Sequence, residues 1–159
     1  MKNNSYGFTL VELVLVLGII LTLFGMTMFN LVGTQQTSEV GTTADTLVSD
    51  MASQQTKAML GIGTSSGTNY GIYFQTDRYV LFKGNYYNPA DSTNFTVMLN
   101  SGLQFSNITF PQDSIIFSSV TGTASGFLSG ANSVSVGESD GTKTKTISVN
   151  RYGIVISEN

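Results

Sequence analysis

The sequence contains no cysteine, no histidine and no tryptophan. Catalytic triads that need Cys or His, Cys/His zinc sites, disulfide staples and haem ligation through His are therefore excluded. Charge is also scarce, since Asp, Glu, Lys and Arg make up 11 % of the 159 residues, against roughly 25 % in an ordinary soluble domain. Proline occurs only at Pro89 and Pro111, so no proline interrupts a helix before residue 89. Polarity is carried by 19 serines and 20 threonines instead of charge. The net charge of −3 argues against a chain built mainly to hold nucleic-acid phosphates. This composition suits an exposed or secreted structural protein better than an enzyme. Neither a catalytic group, a metal site nor a cofactor is expected.

What the chain does have is a long apolar run. From Phe8 to Val32 there are 25 residues and one charge, Glu12. About 20 apolar residues in a helix cross the ~30 Å hydrocarbon core, so this stretch reads as a membrane segment. Lys2, the only charge before Glu12, favours a cytoplasmic amino end and an external carboxyl end. An ordinary secretory signal ends in a small-x-small cleavage site, and Phe29-Asn30-Leu31-Val32-Gly33-Thr34 offers none. A plain uncleaved anchor leaves Glu12 unexplained, because an acidic group near a helix centre costs about 2.5–3.5 kcal/mol in a bilayer. Such a residue reads as functional by default.

The string Gly7-Phe8-Thr9-Leu10-Val11-Glu12, followed by the apolar run, closely resembles the class III signal of type IV prepilins and pseudopilins. The resemblance implies that residues 1–7 are a leader and that prepilin peptidase cuts between Gly7 and Phe8. The enzyme then methylates the new amino terminus at Phe8. Glu12 lies one helical turn from that amine. In a filament both groups leave water, and a buried carboxylate matched to an amine is tolerated where an unpaired one costs several kcal/mol. The resemblance therefore implies that Glu12 pairs with the terminal amine of a neighbouring subunit and sets the axial register. Family members commonly have a proline about three turns into the mature helix. Here only Gly18, Gly25 and Gly33 weaken it.

Beyond Val32 the spacing of Val40, Ala44, Leu47, Val48, Met51, Gln55, Ala58 and Met59 predicts an amphipathic helix with one buried stripe. One rod from Phe8 to Leu60 would be near 80 Å long at ~1.5 Å per residue. The expected organisation is a leader (1–7), a transmembrane and filament-core helix (8–33), an amphipathic half (34–60) and a β-rich head (61–159). Gly61 is a plausible helix cap. The spacing Gly61-x-Gly63-x-x-x-Gly67 follows a helix and not a strand, so a turn is favoured over a phosphate loop.

The remainder reads as β. Strands are expected at 70–75, 79–82, 95–99, 108–110, 114–117, 134–136, 144–149 and 154–156, with hairpins at Thr76-Asp77-Arg78 and around Asp140-Gly141. The fold class is α+β, a long amino-terminal helix packed on a carboxyl-terminal antiparallel β-sheet domain. The order of pieces resembles the GspH/FimT-type minor pseudopilin head: Ala58 at the helix end, Tyr70–Phe74, Tyr79–Phe82, Ile108–Phe117, Thr121–Gly130 and Ile147–Ile156. Competence-type pseudopilins of Gram-positive bacteria share that layout.

The resemblances imply a structural subunit of a type IV pilus or type II secretion pseudopilus, with a major pilin as one alternative. The implied partners are prepilin peptidase, other pilins or pseudopilins, an inner-membrane assembly platform and membrane lipid. The implied location is the inner membrane, single-pass with the amino end cytoplasmic, and then a periplasmic or cell-surface filament. A DNA-binding tip pilin is the other alternative. Some FimT-type proteins bind DNA through a Gly-Arg-x-Arg tail, but the matching place reads Arg151-Tyr152-Gly153-Ile154-Val155, without the arginine pair. Lys143, Lys145 and Arg151 with Tyr152 form the weak nucleic-acid candidate. A lysine-protected hairpin edge is favoured there, and nucleic acid is an unlikely partner. Glu138-Ser139-Asp140-Gly141 lacks the alternating oxygen ligands of a calcium loop and reads as a hairpin tip.

Overall fold

The computed structural model describes residues 9–61 and 67–158, and the side chains of these apart from 27–38 and 157–158. The chain divides into two compact units, Met1–Thr37 and Ser38–Asn159. Helix α1 (Leu10–Leu60) contributes to both.

In the first unit α1 begins with a turn that its own sequence closes. Thr9 precedes the helix, its carbonyl accepts from Leu13 N–H at 3.1 Å and its hydroxyl accepts from Glu12 N–H at 3.3 Å. Thr9-Leu10-Val11-Glu12 is thus a capping-box sequence with the threonine half made. Downstream, Thr22 folds its hydroxyl back onto the carbonyls of Gly18 and Ile19, both at 2.9 Å. That keeps a polar group satisfied on an apolar helix. The large apolar side chains from Leu10 to Met26 are between 44 % and 79 % exposed, on every side of the helix. A helix apolar all round needs lipid or other helices around it. Among the described residues no helix is long and apolar enough to cross a membrane. The expected segment Phe8–Val32 extends at both ends past the residues whose side chains are described.

The second unit is the head. Among the described residues eight strands follow the helix: β1 (Tyr70–Phe74), β2 (Arg78–Lys83), β3 (Phe95–Met98), β4 (Leu103–Ser106), β5 (Ser114–Phe117), β6 (Ser133–Glu138), β7 (Thr144–Val149) and β8 (Val155–Glu158). They form two four-stranded sheets, ordered β3-β2-β1-β5 and β4-β6-β7-β8, and every pairing is antiparallel. The helical stripe Val40, Ala44, Leu47, Met51, Gln54 and Ala58 is buried. Its spacing of four, three, four, three and four residues is that of a single helix face. Apolar members of this stripe share one core with Ile72, Phe74, Tyr79 and Phe117 of the first sheet and Phe105, Val134, Val136, Ile147 and Val149 of the second. Phe74 ties the sheets together, meeting Phe105 edge-on at 5.5 Å and stacking on Phe110 at 5.6 Å.

Several sequence expectations shift by small amounts. Gln54, not Gln55, takes the buried helical position, donating to Gly71 O at 3.1 Å, and Met59 faces solvent. Residues 108–110 do not form a strand. Asn107 has φ +46° and Pro111 follows, so the segment is pinched at both ends. Thr109 still docks on the second sheet, donating its N–H to Ser133 O and accepting from Ser133 N–H, each at 2.9 Å. Strand β4 was not expected. Its Leu103 and Phe105 point inward in alternation, but two apolar residues in a Gly- and Ser-bounded run give a weak signal. The Asp140-Gly141 hairpin is present, with Gly141 at φ +76° and Asp140 Oδ1 accepting from Thr142 N–H at 2.9 Å. Gly61 ends the helix at φ +61°.

Candidate functional site

The amino-terminal candidates fall on the start of α1. Gly7 and Phe8 lie outside the described residues. Glu12 is exposed, at the third position of the helix. A carboxylate in a first helical turn is favoured by the partial positive charge of the unsatisfied N–H groups. The geometry therefore presents one carboxylate outward from an apolar stretch of helix. Thr9 is a residue the sequence reading passed over. The Thr-x-x-Glu spacing was its signal.

The head carries no comparable chemistry. The groups His, Cys, Asp and Glu nowhere gather in threes that could hold a metal among the described residues. Acidic side chains are engaged locally. Arg78 holds Asp77 in a two-pronged contact of 2.9 and 2.7 Å, and its hydrogen bonds lower the Asp77 carboxyl below its ordinary value. Hydrogen bonds from Thr93 and from Thr142 lower Asp91 and Asp140 in the same sense. Tyr79 is buried at the helix–sheet junction and donates to Asp50 Oδ2 at 2.6 Å. Burial first, and the neighbouring Asp50 carboxylate second, push its phenol well above the usual tyrosine range.

The four nucleic-acid candidates are not brought together. Lys143 and Lys145 sit at the start of β7, and Lys145 Nζ lies 3.7 Å from Asp45 on α1. Arg151 and Tyr152 lie in the turn after β7, with the Arg151 guanidinium 5.4 Å from the Tyr152 ring centre. The length of β7, at roughly 3.3 Å per residue, separates the pairs. The basic edge expected from the sequence is thus two separate places, one of them partly neutralised.

The described start of α1 is thus apolar on all sides with one early carboxylate, and the head is an α+β unit of two antiparallel sheets. Two similarities to known proteins bear on these features. Residues 2–28 match the prokaryotic N-terminal methylation motif. The fold is similar to that of the minor pseudopilin EpsH from the type 2 secretion system of Vibrio cholerae, with a TM-score of 0.51, 14 % sequence identity and coverage of 74 % of this chain and 94 % of that one. No curated protein matches the chain by sequence.

Proposed function

We propose that this chain is a structural subunit of a type IV pilus or type II secretion pseudopilus, of the minor, GspH/FimT-like kind. The observation that carries the reading is the methylation motif at residues 2–28 placed on a helix that leads into a pseudopilin-like head. In this reading prepilin peptidase removes residues 1–7 and methylates Phe8. The subunit waits in the inner membrane with its amino end cytoplasmic and its apolar helix in lipid. An assembly platform then transfers it into a periplasmic or surface filament. There, apolar side chains now exposed from Leu10 to Met26 exchange lipid for neighbouring helices, and Glu12 meets the amine of the next subunit. The work is assembly, with no catalytic step.

Mass spectrometry of the amino terminus, from cells that contain prepilin peptidase, tests this directly. The expected chain starts at N-methylated Phe8. A retained Met1–Gly7 in that host overturns the reading.

A further inference from the structure

The last turn of α1 and the loops beside it present a second feature of the head that the core does not explain. Val120 N–H donates to Ala58 O at 3.1 Å, and Gln55 Nε2 donates to Gly122 O at 2.8 Å and to Tyr152 O at 2.7 Å. These bonds gather Met59, Leu60, Val120 and Tyr152 around one helix end, and all four are exposed. Val120 is 75 % exposed and has φ +68°. A β-branched residue at positive φ is a genuine outlier, costing of order 1–3 kcal/mol. The fold therefore holds a strained apolar side chain out in water, and the cation Arg151 lies over the Tyr152 ring of the same group.

At the other end of the head helix is a feature of complementary kind. Thr42, Thr43 and Thr46 of α1 and the Val97–Leu99 segment line an open groove of about 170 Å³, with room for a branched aliphatic side chain. Glu39, exposed, stands one helical turn before Thr42 and Thr43. Acid flanks the groove and base flanks the apolar knob. The two lie along one helix roughly 25 Å apart, from Thr43 to Leu60 at ~1.5 Å per residue.

We infer that the knob formed by Val120, Met59, Leu60 and Tyr152 seats in the Thr42–Thr46 groove of a second copy of this chain, with Arg151 facing that copy's Glu39. Knob and groove are different surfaces, so the contact is heterologous and does not close on itself. Such contacts propagate into filaments. This inference rests on the filament-subunit reading and adds to it a head-to-head contact independent of the apolar helix.

The absence of native cysteine makes the test clean, because only introduced thiols can cross-link. The full chain carrying V120C and T43C together is produced with prepilin peptidase and the assembly machinery, oxidised, and read on a non-reducing gel. A ladder of dimers and higher species is expected from the double variant, and none from either single variant. Adding Arg151→Glu is expected to weaken the ladder about two- to fivefold, in line with an exposed charge pair, and adding Glu39→Arg to that variant restores it. Filaments without a ladder overturn the contact and leave the subunit reading standing. Cross-links from V120C alone, or only to a different subunit, also overturn it. A processed chain that never leaves the monomeric state removes both.

Discussion

Glu12 yields the clearest test at the scale of single residues. It stands in the first turn of a helix whose other large side chains between Leu10 and Met26 are apolar and exposed. Substitution by Ala removes a polar group, so membrane insertion should be unchanged or improved. On the proposed reading, however, it leaves the next subunit's terminal amine buried in the fibre without its partner, at a cost of about 3 kcal/mol or more. Glu12→Ala is expected to leave the chain in the membrane fraction while its incorporation into sheared filaments falls beyond a hundredfold. Normal incorporation would show that the carboxylate does not set the register. A second residue-scale test concerns Tyr79, whose bond to Asp50 joins sheet to helix. Burial and the Asp50 carboxylate raise its phenol above the ordinary tyrosine range. Below about pH 10 the folded and unfolded forms both keep the proton, and the stabilisation is complete. Above it, the unfolded chain ionises while the folded one resists. Stability is therefore lost as pH rises, by up to ~1.4 kcal/mol per pH unit. Tyr79→Phe should lower neutral stability by about 1–2 kcal/mol and flatten this alkaline slope. Urea midpoints between pH 8 and pH 11 measure both effects.

At the scale of elements, the helix and the hairpins were legible in the sequence because their signals are local. The stripe from Val40 to Ala58 has a helical period, Gly61 stops it, and Asp140-Gly141 turns β6 into β7. What escaped was non-local. Strand β4 is held by its pairing with β6, Leu103 opposite Glu138 and Phe105 opposite Val136, and four residues with two apolar side chains do not announce that. Residues 108–110 look like a strand by composition, but the left-handed backbone at Asn107 detaches them from a ladder. The role of Gln55 was not legible either. In the sequence it looks like an interruption of the apolar stripe. In the fold its amide ties α1 to the carbonyls of Gly122 and Tyr152, joining a loop after β5 and the β7–β8 turn to the same helical turn. Gly153 sits at φ +77° against that amide, where a Cβ would come within 2.6 Å of Gln55 Nε2. Gln55→Leu keeps the volume and removes both bonds, so the head should lose about 1–3 kcal/mol. The change should appear in the thermal midpoint, with faster amide exchange concentrated at residues 118–124 and 150–153.

For the molecule as a whole, the two units solve different problems. On the proposed reading, the apolar helix of Met1–Thr37 is stabilised by what surrounds it, lipid first and neighbouring helices afterwards. Ser38–Asn159 contains its own core, to which the helix contributes Ala44, Leu47, Met51 and Ala58 and both sheets contribute aromatic and β-branched side chains. If the head's stability is generated inside that unit, removing everything before Ser38 should cost it almost nothing. Serine is a good N-cap for the shortened helix, and the buried stripe begins at Val40, two residues later. A chain starting at Ser38 is therefore expected to be water-soluble and to unfold in one cooperative transition, with a stability of about 5–10 kcal/mol, as for single domains of this size. Calorimetric and van't Hoff enthalpies should agree. A broad, non-cooperative melt would mean that the head borrows order from the apolar helix, and assembly and folding would then be one process and not two. With a cooperative melt, the same fragment carrying Gln55→Leu should melt lower by the amount seen in the full chain, since every partner of that side chain lies inside the unit.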